Sequence, residues 1–152
     1  MGLHEYDIDS AVDMMDFQAY LFTLIPERLP DAAVDKFITA WMQSETRRAI
    51  DKNSPKFLNK SGSELFTWFL NREIDNIYDK GNFSERSPHV LHWVGLIYQC
   101  YAYNEKMASS DLVKLLPPDI LYNMYYPWHE LSDLGAVRKI KTEYMDAVTS
   151  HD

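Results

Sequence analysis

The chain has 152 residues, 46% of them hydrophobic and 14% aromatic, with 5 Gly, 7 Pro, one Cys and a net charge of -8. A chain of that size suits one domain that buries roughly 70% of the surface exposed when unfolded, and its composition excludes a disordered or low-complexity protein. One cysteine excludes an internal disulfide, and no window reaches the ~18 uncharged apolar residues of a membrane span. The acidic start MGLHEYDID lacks the basic and then greasy pattern of a secretory signal, and Tyr6 stands where myristoylation needs Ser or Thr. A cytoplasmic protein without a membrane anchor is the expectation.

The charge is unevenly placed. Residues 1–35 hold eight acids (Glu5, Asp7, Asp9, Asp13, Asp16, Glu27, Asp31 and Asp35) against Arg28, a net of -7, whereas the rest holds fifteen acids and fourteen bases, a net of -1. Such a field repels nucleic acid and steers basic partners toward the front of the chain.

Helical periodicity recurs along the chain. Ser10 is placed to cap a helix from about Ala11 to Ile25, ended by Pro26, with Val12, Met15, Ala19 and Phe22 on one face. Pro30 and Asp31 open a second helix, in which Val34, Phe37, Ile38 and Trp41 follow the i, i+3, i+4, i+7 spacing of a buried stripe. The polar segment from Arg47 to Lys60, with Asn53, Ser54 and Pro55, reads as a loop. Ser61 and Glu64 form a capping box for a third helix carrying Leu65, Phe66, Phe69, Leu70, Ile74 and Ile77 up to Lys80-Gly81-Asn82.

Ser87-Pro88 is the start signal of a helix apolar on nearly every side, HVLHWVGLIYQCYAY, whose place is the middle of a bundle. Gly95 weakens that helix, so its use is to let another helix approach closely. Ser109 or Ser110 begins a short helix through Leu116 that Pro117-Pro118 ends, and Asp119 to Tyr126 add a further turn or two stopped by Pro127. Ser132 caps a last helix with Leu134, Val137, Ile140, Tyr144 and Val148. With neither an alternating strand pattern nor an internal repeat, the expectation is a single-domain all-α bundle of six or seven helices around a central one at about residues 88–105, with an acidic segment at 1–35.

The search for chemistry yields little. His89 and His92 share a helix face and, with His129 and Glu130, are the residues a metal-dependent hydrolase would use, but their spacing is not a ligand motif. The simpler reading sets His89 in an exposed first turn and makes His92, Gln99 and Tyr103 a hydrogen-bonded polar seam. Cys100 lies eight residues, about 12 Å of helix rise, from His92, too far for a thiol and its base, and is expected to be inert core. Phosphate loops, G-x-S-x-G elbows and C-x-x-C pairs are absent. Arg47, Arg48, Lys52, Lys56 and Lys60 make a basic stretch better explained by internal pairing or solvation than by nucleic acid. No catalytic residue, metal or cofactor is assigned.

Tyr122, Tyr125, Tyr126 and Trp128 crowd the proline-broken segment ILYNMYYPWHEL. Packing explains most of such a cluster, although these residue types also dominate interface hot spots. The succession Trp93-Val94-Gly95, Ser110-Asp111-Leu112, and Tyr126-x-x-His129 followed by Asp133, covering about residues 57–140, resembles small bacterial all-helical proteins of the antitoxin-like operon type. Tyr103-Asn104-Glu105 and Cys100 fit the same pattern. The resemblance implies an interaction protein and carries over no catalytic residue.

The expected function is a non-enzymatic acidic module that binds and restrains a basic protein partner, as an antitoxin or inhibitor does. Asp7, Asp9, Asp13 and Asp16 would rim the contact, and Tyr122, Tyr125, Tyr126 and Trp128 would anchor it. The alternatives are a phage-encoded DNA-mimic inhibitor of a nucleic-acid-binding defence protein, the metal-dependent hydrolase using His89, His92 and His129, and a subunit of a larger oligomer.

Overall fold

The computed structural model describes residues 17–27, 29, 31–52, 64, 69 and 87–149, and all regular structure among them is helical, with no strand. Helix α1 covers residues 17–23, and a 3-10 turn at Ile25–Glu27 follows it. Ala19 and Phe22 are buried on the expected face, while Val12 and Met15 lie outside the described residues. Helix α2, Asp31–Met42, buries Val34, Phe37, Ile38 and Trp41 completely. Each is worth about 1.5–3 kcal/mol relative to an exposed position, so this stripe fixes which way α2 faces.

From Arg47 to Asp51 the chain is helical and not the expected loop, and residues 53–60 of that segment lie outside the described residues. Ser44 caps α3, Glu45–Asp51, by accepting a hydrogen bond from the Arg47 N–H at 3.0 Å, and its hydroxyl donates to the Trp41 carbonyl at 2.7 Å. One serine thus closes α2 and opens α3. Polar composition hides a helix whose buried face is itself polar, because Thr46 and Arg47 join Ile50 in the interior. Of the helix expected from Ser61 to Asn82, only Glu64 and Phe69 are described and the rest lies outside; both are helical, and Phe69 packs edge-on against Phe37 and Trp41.

The central helix, α4, is Pro88–Glu105, capped by the Ser87 hydroxyl and buried along most of its length. His89 and His92 are exposed, as is Tyr103, so the anticipated polar seam reduces in the interior to Gln99. At Lys106 the backbone turns left-handed (φ 52°) and its N–H closes on the Ala102 carbonyl. Helix α5, Ser109–Leu115, follows after three residues, and α6, Pro118–Trp128, starts behind Pro117. Pro127 does not stop α6. It stands in the last turn, where its missing N–H and its ring affect only the carbonyl of exposed Asn123, and the helix is closed by His129 N–H donating to Tyr125 at 2.8 Å.

Helix α7, Asp133–Ile140, is capped by Ser132 as expected and runs through a π-helical turn, Lys141–Met145, into α8, Asp146–Thr149. The wide turn leaves both Ile140 and Met145 buried while the Tyr144 hydroxyl donates to the Leu115 carbonyl at 2.9 Å. Of the apolar residues on this last helix, Leu134 is exposed. Helices α5, α6 and α7 all pack on α4, and α2 packs on α3, α5 and α6.

Gly95 is where α1 crosses α4. A Cβ there would lie 2.8 Å from the Gln18 carbonyl oxygen and 3.0 Å from the Ala19 Cα, and both are backbone atoms that cannot swing away. Gly95→Ala is therefore expected to lower stability by about 1–2 kcal/mol in urea unfolding, the clash outweighing the gain in helix propensity. A second expectation concerns alkaline pH. Burial, with Glu105 and Asp146 adding to it, raises the Tyr101 phenol to about 12. The unfolded phenol titrates near pH 10, so the native chain holds this proton longer and its stabilising share, full below about pH 10, is lost as pH rises toward about 12. Urea midpoints measured across this window should fall less steeply for Tyr101→Phe than for the parent protein.

Candidate functional site

Arg47 occupies the first turn of α3 on its inward face, and only 1% of its side chain is exposed. A guanidinium brought that far from water needs acceptors for its donors. Nη1 donates to Gln18 Oε1 at 2.9 Å, Nη2 donates to Gln99 Oε1 and pairs with Asp51 Oδ1 at 3.1 Å, and Nε is shared between Ser109 Oγ at 3.0 Å and Asp51 Oδ1 at 3.2 Å. Ser109 donates in turn to Asp51, through its hydroxyl at 2.8 Å and its N–H at 3.0 Å. Gln18 completes the array: its Oε1 also accepts from Trp41 Nε1 at 2.8 Å, and its Nε2 donates to the Gly95 carbonyl at 2.7 Å. Five helices, α1 to α5, meet in this network. Burial lowers the Arg47 pKa and the Asp51 carboxylate pulls it back up.

Beside this cluster opens a cavity of about 570 Å³ whose walls include Arg47, Asp51, Gln99, Tyr103, Lys106 and Met107. That volume suits a small molecule. Among the described residues its walls carry the Arg47–Asp51 ion pair, a further cation at Lys106, the buried Gln99 amide and apolar surface. Catalytic acid–base work needs a group free to move a proton, and the Ser109 hydroxyl is occupied at both ends, accepting from Arg47 and donating to Asp51. Cys100 lies in the core, where burial raises its thiol pKa, Asp133 adds to the rise, and the Asn104 amide contact at 3.3 Å opposes it.

The residues singled out in the sequence fall into different places. Asp7, Asp9, Asp13 and Asp16 lie outside the described residues. Tyr122 is buried, and its hydroxyl donates to Asp35 at 2.5 Å, holding α6 to α2. Tyr125 is half-buried between Trp93, edge-on at 5.7 Å, and His129, stacked at 4.2 Å. Tyr126 meets Tyr125 edge-on at 5.4 Å and is 78% exposed, whereas Trp128 packs partly against the core. Among the described residues no three His, Cys, Asp or Glu side chains gather as metal ligands, and His129 is turned toward its own helix, with Nδ1 2.8 Å from the Tyr125 carbonyl. Among the same residues, no helix is long and apolar enough to cross a membrane. Compared with known proteins, the chain matches no family model, no curated protein and no solved structure.

Sequence reasoning missed Gln18, Asp51, Ser109 and Lys106, and it saw in Arg47 only one member of a basic stretch. The available signals were Arg47 and Asp51 at i, i+4, and Ser44 ahead of a short run with Ile50 inside it. Internal pairing was the correct account of Arg47, and Asp51 is its partner. The two halves of that pair differ, because Asp51 is 20% exposed and Arg47 is sealed. Asp51→Ala strands a buried charge and should cost about 3–5 kcal/mol in urea unfolding, whereas Arg47→Met leaves a carboxylate that water can reach and should cost less. The reverse ranking would contradict this view of the cluster.

Proposed function

We propose that the protein is a non-enzymatic interaction module that binds and restrains a partner with a basic surface, as antitoxins and inhibitors do. The observation that carries this reading is the separation of charge, -7 in the first 35 residues against -1 in the remainder. A field gathered at one end of a chain steers association and selects partners of opposite sign.

The surface of α6 supports the same reading. Tyr126 stands almost fully in water, yet its ring is braced by Tyr125, which is clamped between Trp93 and His129. An exposed aromatic that is already held loses little freedom on docking, which is what an interface anchor needs. Leu131 and Leu134, a few residues further on, are also exposed. Tyr122 contributes by holding α6 in place through Asp35, Tyr125 is the base on which Tyr126 stands, and Trp128 packs partly against the core.

With the full chain as bait in an extract of its own source, a basic protein should be retained at about 50 mM salt and released at several-fold higher salt. Replacing Asp7, Asp9, Asp13 and Asp16 by Asn should weaken capture at least tenfold and flatten its salt dependence, and Tyr126→Ala should weaken it by a similar factor with the salt dependence kept. Capture unchanged by the four Asn substitutions at low salt would refute the proposal, and displacement of the partner by duplex DNA would identify the acidic front as a phosphate mimic.

A further inference from the structure

Among the described residues, the cavity beside Arg47 has a donor without an acceptor. Gln99 is only 6% exposed, and the Arg47 guanidinium donates to its Oε1, which fixes the amide orientation and turns Nε2 away from Arg47. That Nε2 meets no acceptor among the described residues, although Gln99 lines the cavity. A buried amide NH₂ without an acceptor is uncommon, because a buried polar group left unpaired costs stability.

Lys106 is the second observation. It is the one non-glycine residue with positive φ among those described, at a helix end where glycine would sit without strain. Lys106 lines the cavity, and what lysine adds over glycine is a cationic side chain. No carboxylate pairs with it among the described residues, unlike Lys141, which is bridged to Glu105 at 2.8 Å.

Charge and shape then select the ligand. Among the described lining residues Arg47 and Asp51 cancel and Lys106 leaves one positive charge, while the Asp51 carboxylate disfavours a dianion. Ile50, Ala102, Tyr103 and Met107 supply apolar surface for a hydrocarbon body. We infer that this cavity binds a small monocarboxylic acid with an apolar or aromatic body, its carboxylate accepting from Gln99 Nε2 and facing Lys106.

The test is an NMR titration of the full chain, ¹⁵N-labelled, with phenylacetate as probe and phenylacetamide and inorganic phosphate as comparisons. Phenylacetate should shift the Gln99 side-chain amide and the backbone of residues 102–108 saturably below about 10 mM, with phenylacetamide and phosphate at least fivefold weaker. Lys106→Gly relieves the left-handed strain, so it should fold at least as stably as the parent while losing about tenfold in phenylacetate affinity. Absence of a saturable shift, equal binding of phenylacetamide or phosphate, or unchanged affinity in Lys106→Gly would each overturn the assignment.

Discussion

The fold turns on a positive charge placed where water cannot reach. Arg47 is the charged centre of a largely apolar interior, and its guanidinium dictates what surrounds it: an amide from α1, an amide from α4, a serine from α5 and a carboxylate from its own helix. Isolated ions are poor stabilisers when buried, and a network like this one is better understood as a device of specificity. Helices sliding by one turn would keep most apolar contacts but lose the fork geometry, so the array selects one register among several greasy alternatives. Gln18 shows the economy of the arrangement, since its single carbonyl oxygen joins Trp41 to Arg47 while its amide holds the crossing at Gly95.

Gly95 and Gln18 are two sides of one contact. The absence of a side chain at Gly95 brings the α1 backbone against α4, and only at that separation does the Gln18 amide reach the carbonyl of the opposite helix. Packing and hydrogen bonding are coupled at this point, so steric freedom on α4 is converted into polar satisfaction of α3. The cavity then lies where the bundle passes from this sealed centre to solvent, with Asp51 and Gln99 shared by both. A binding site at such a boundary draws its rigidity from the core and its access from the surface.

Much of the architecture was legible in the residues. Ser87-Pro88, Ser132 and the stripe of Val34, Phe37, Ile38 and Trp41 announced helices because caps and apolar periodicity are local signals, and Gly95 announced a close crossing because it had no other reason to interrupt a helix. What escaped was non-local. Polarity in the stretch from Arg47 reads as exposure unless the acceptors are known, and those come from residues 18, 99 and 109, which no window around Arg47 contains. Pro127 misled for the opposite reason, since a strong local rule was weakened by a position one turn from the helix end. Of the candidate site, Gln99 was visible as a polar handle in an apolar run, but its unused donor became apparent only once Arg47 had claimed the other side of the amide.

The separation along the chain of the groups that meet at Arg47 has a kinetic side. Gln18 reaches Gly95 across 77 positions, Arg47 reaches Ser109 across 62, and Ser109 reaches Asp51 across 58. Bringing such distant segments together forfeits loop entropy before any bond repays it, so these contacts are expected at the closing stage of folding, after local helices and apolar collapse. Interactions absent from the folding transition state act almost wholly on the rate of escape from the native basin. Breaking the network, as by Asp51→Ala, would in this sense undo a latch, speeding escape from the finished bundle while leaving the rate of assembly nearly unchanged.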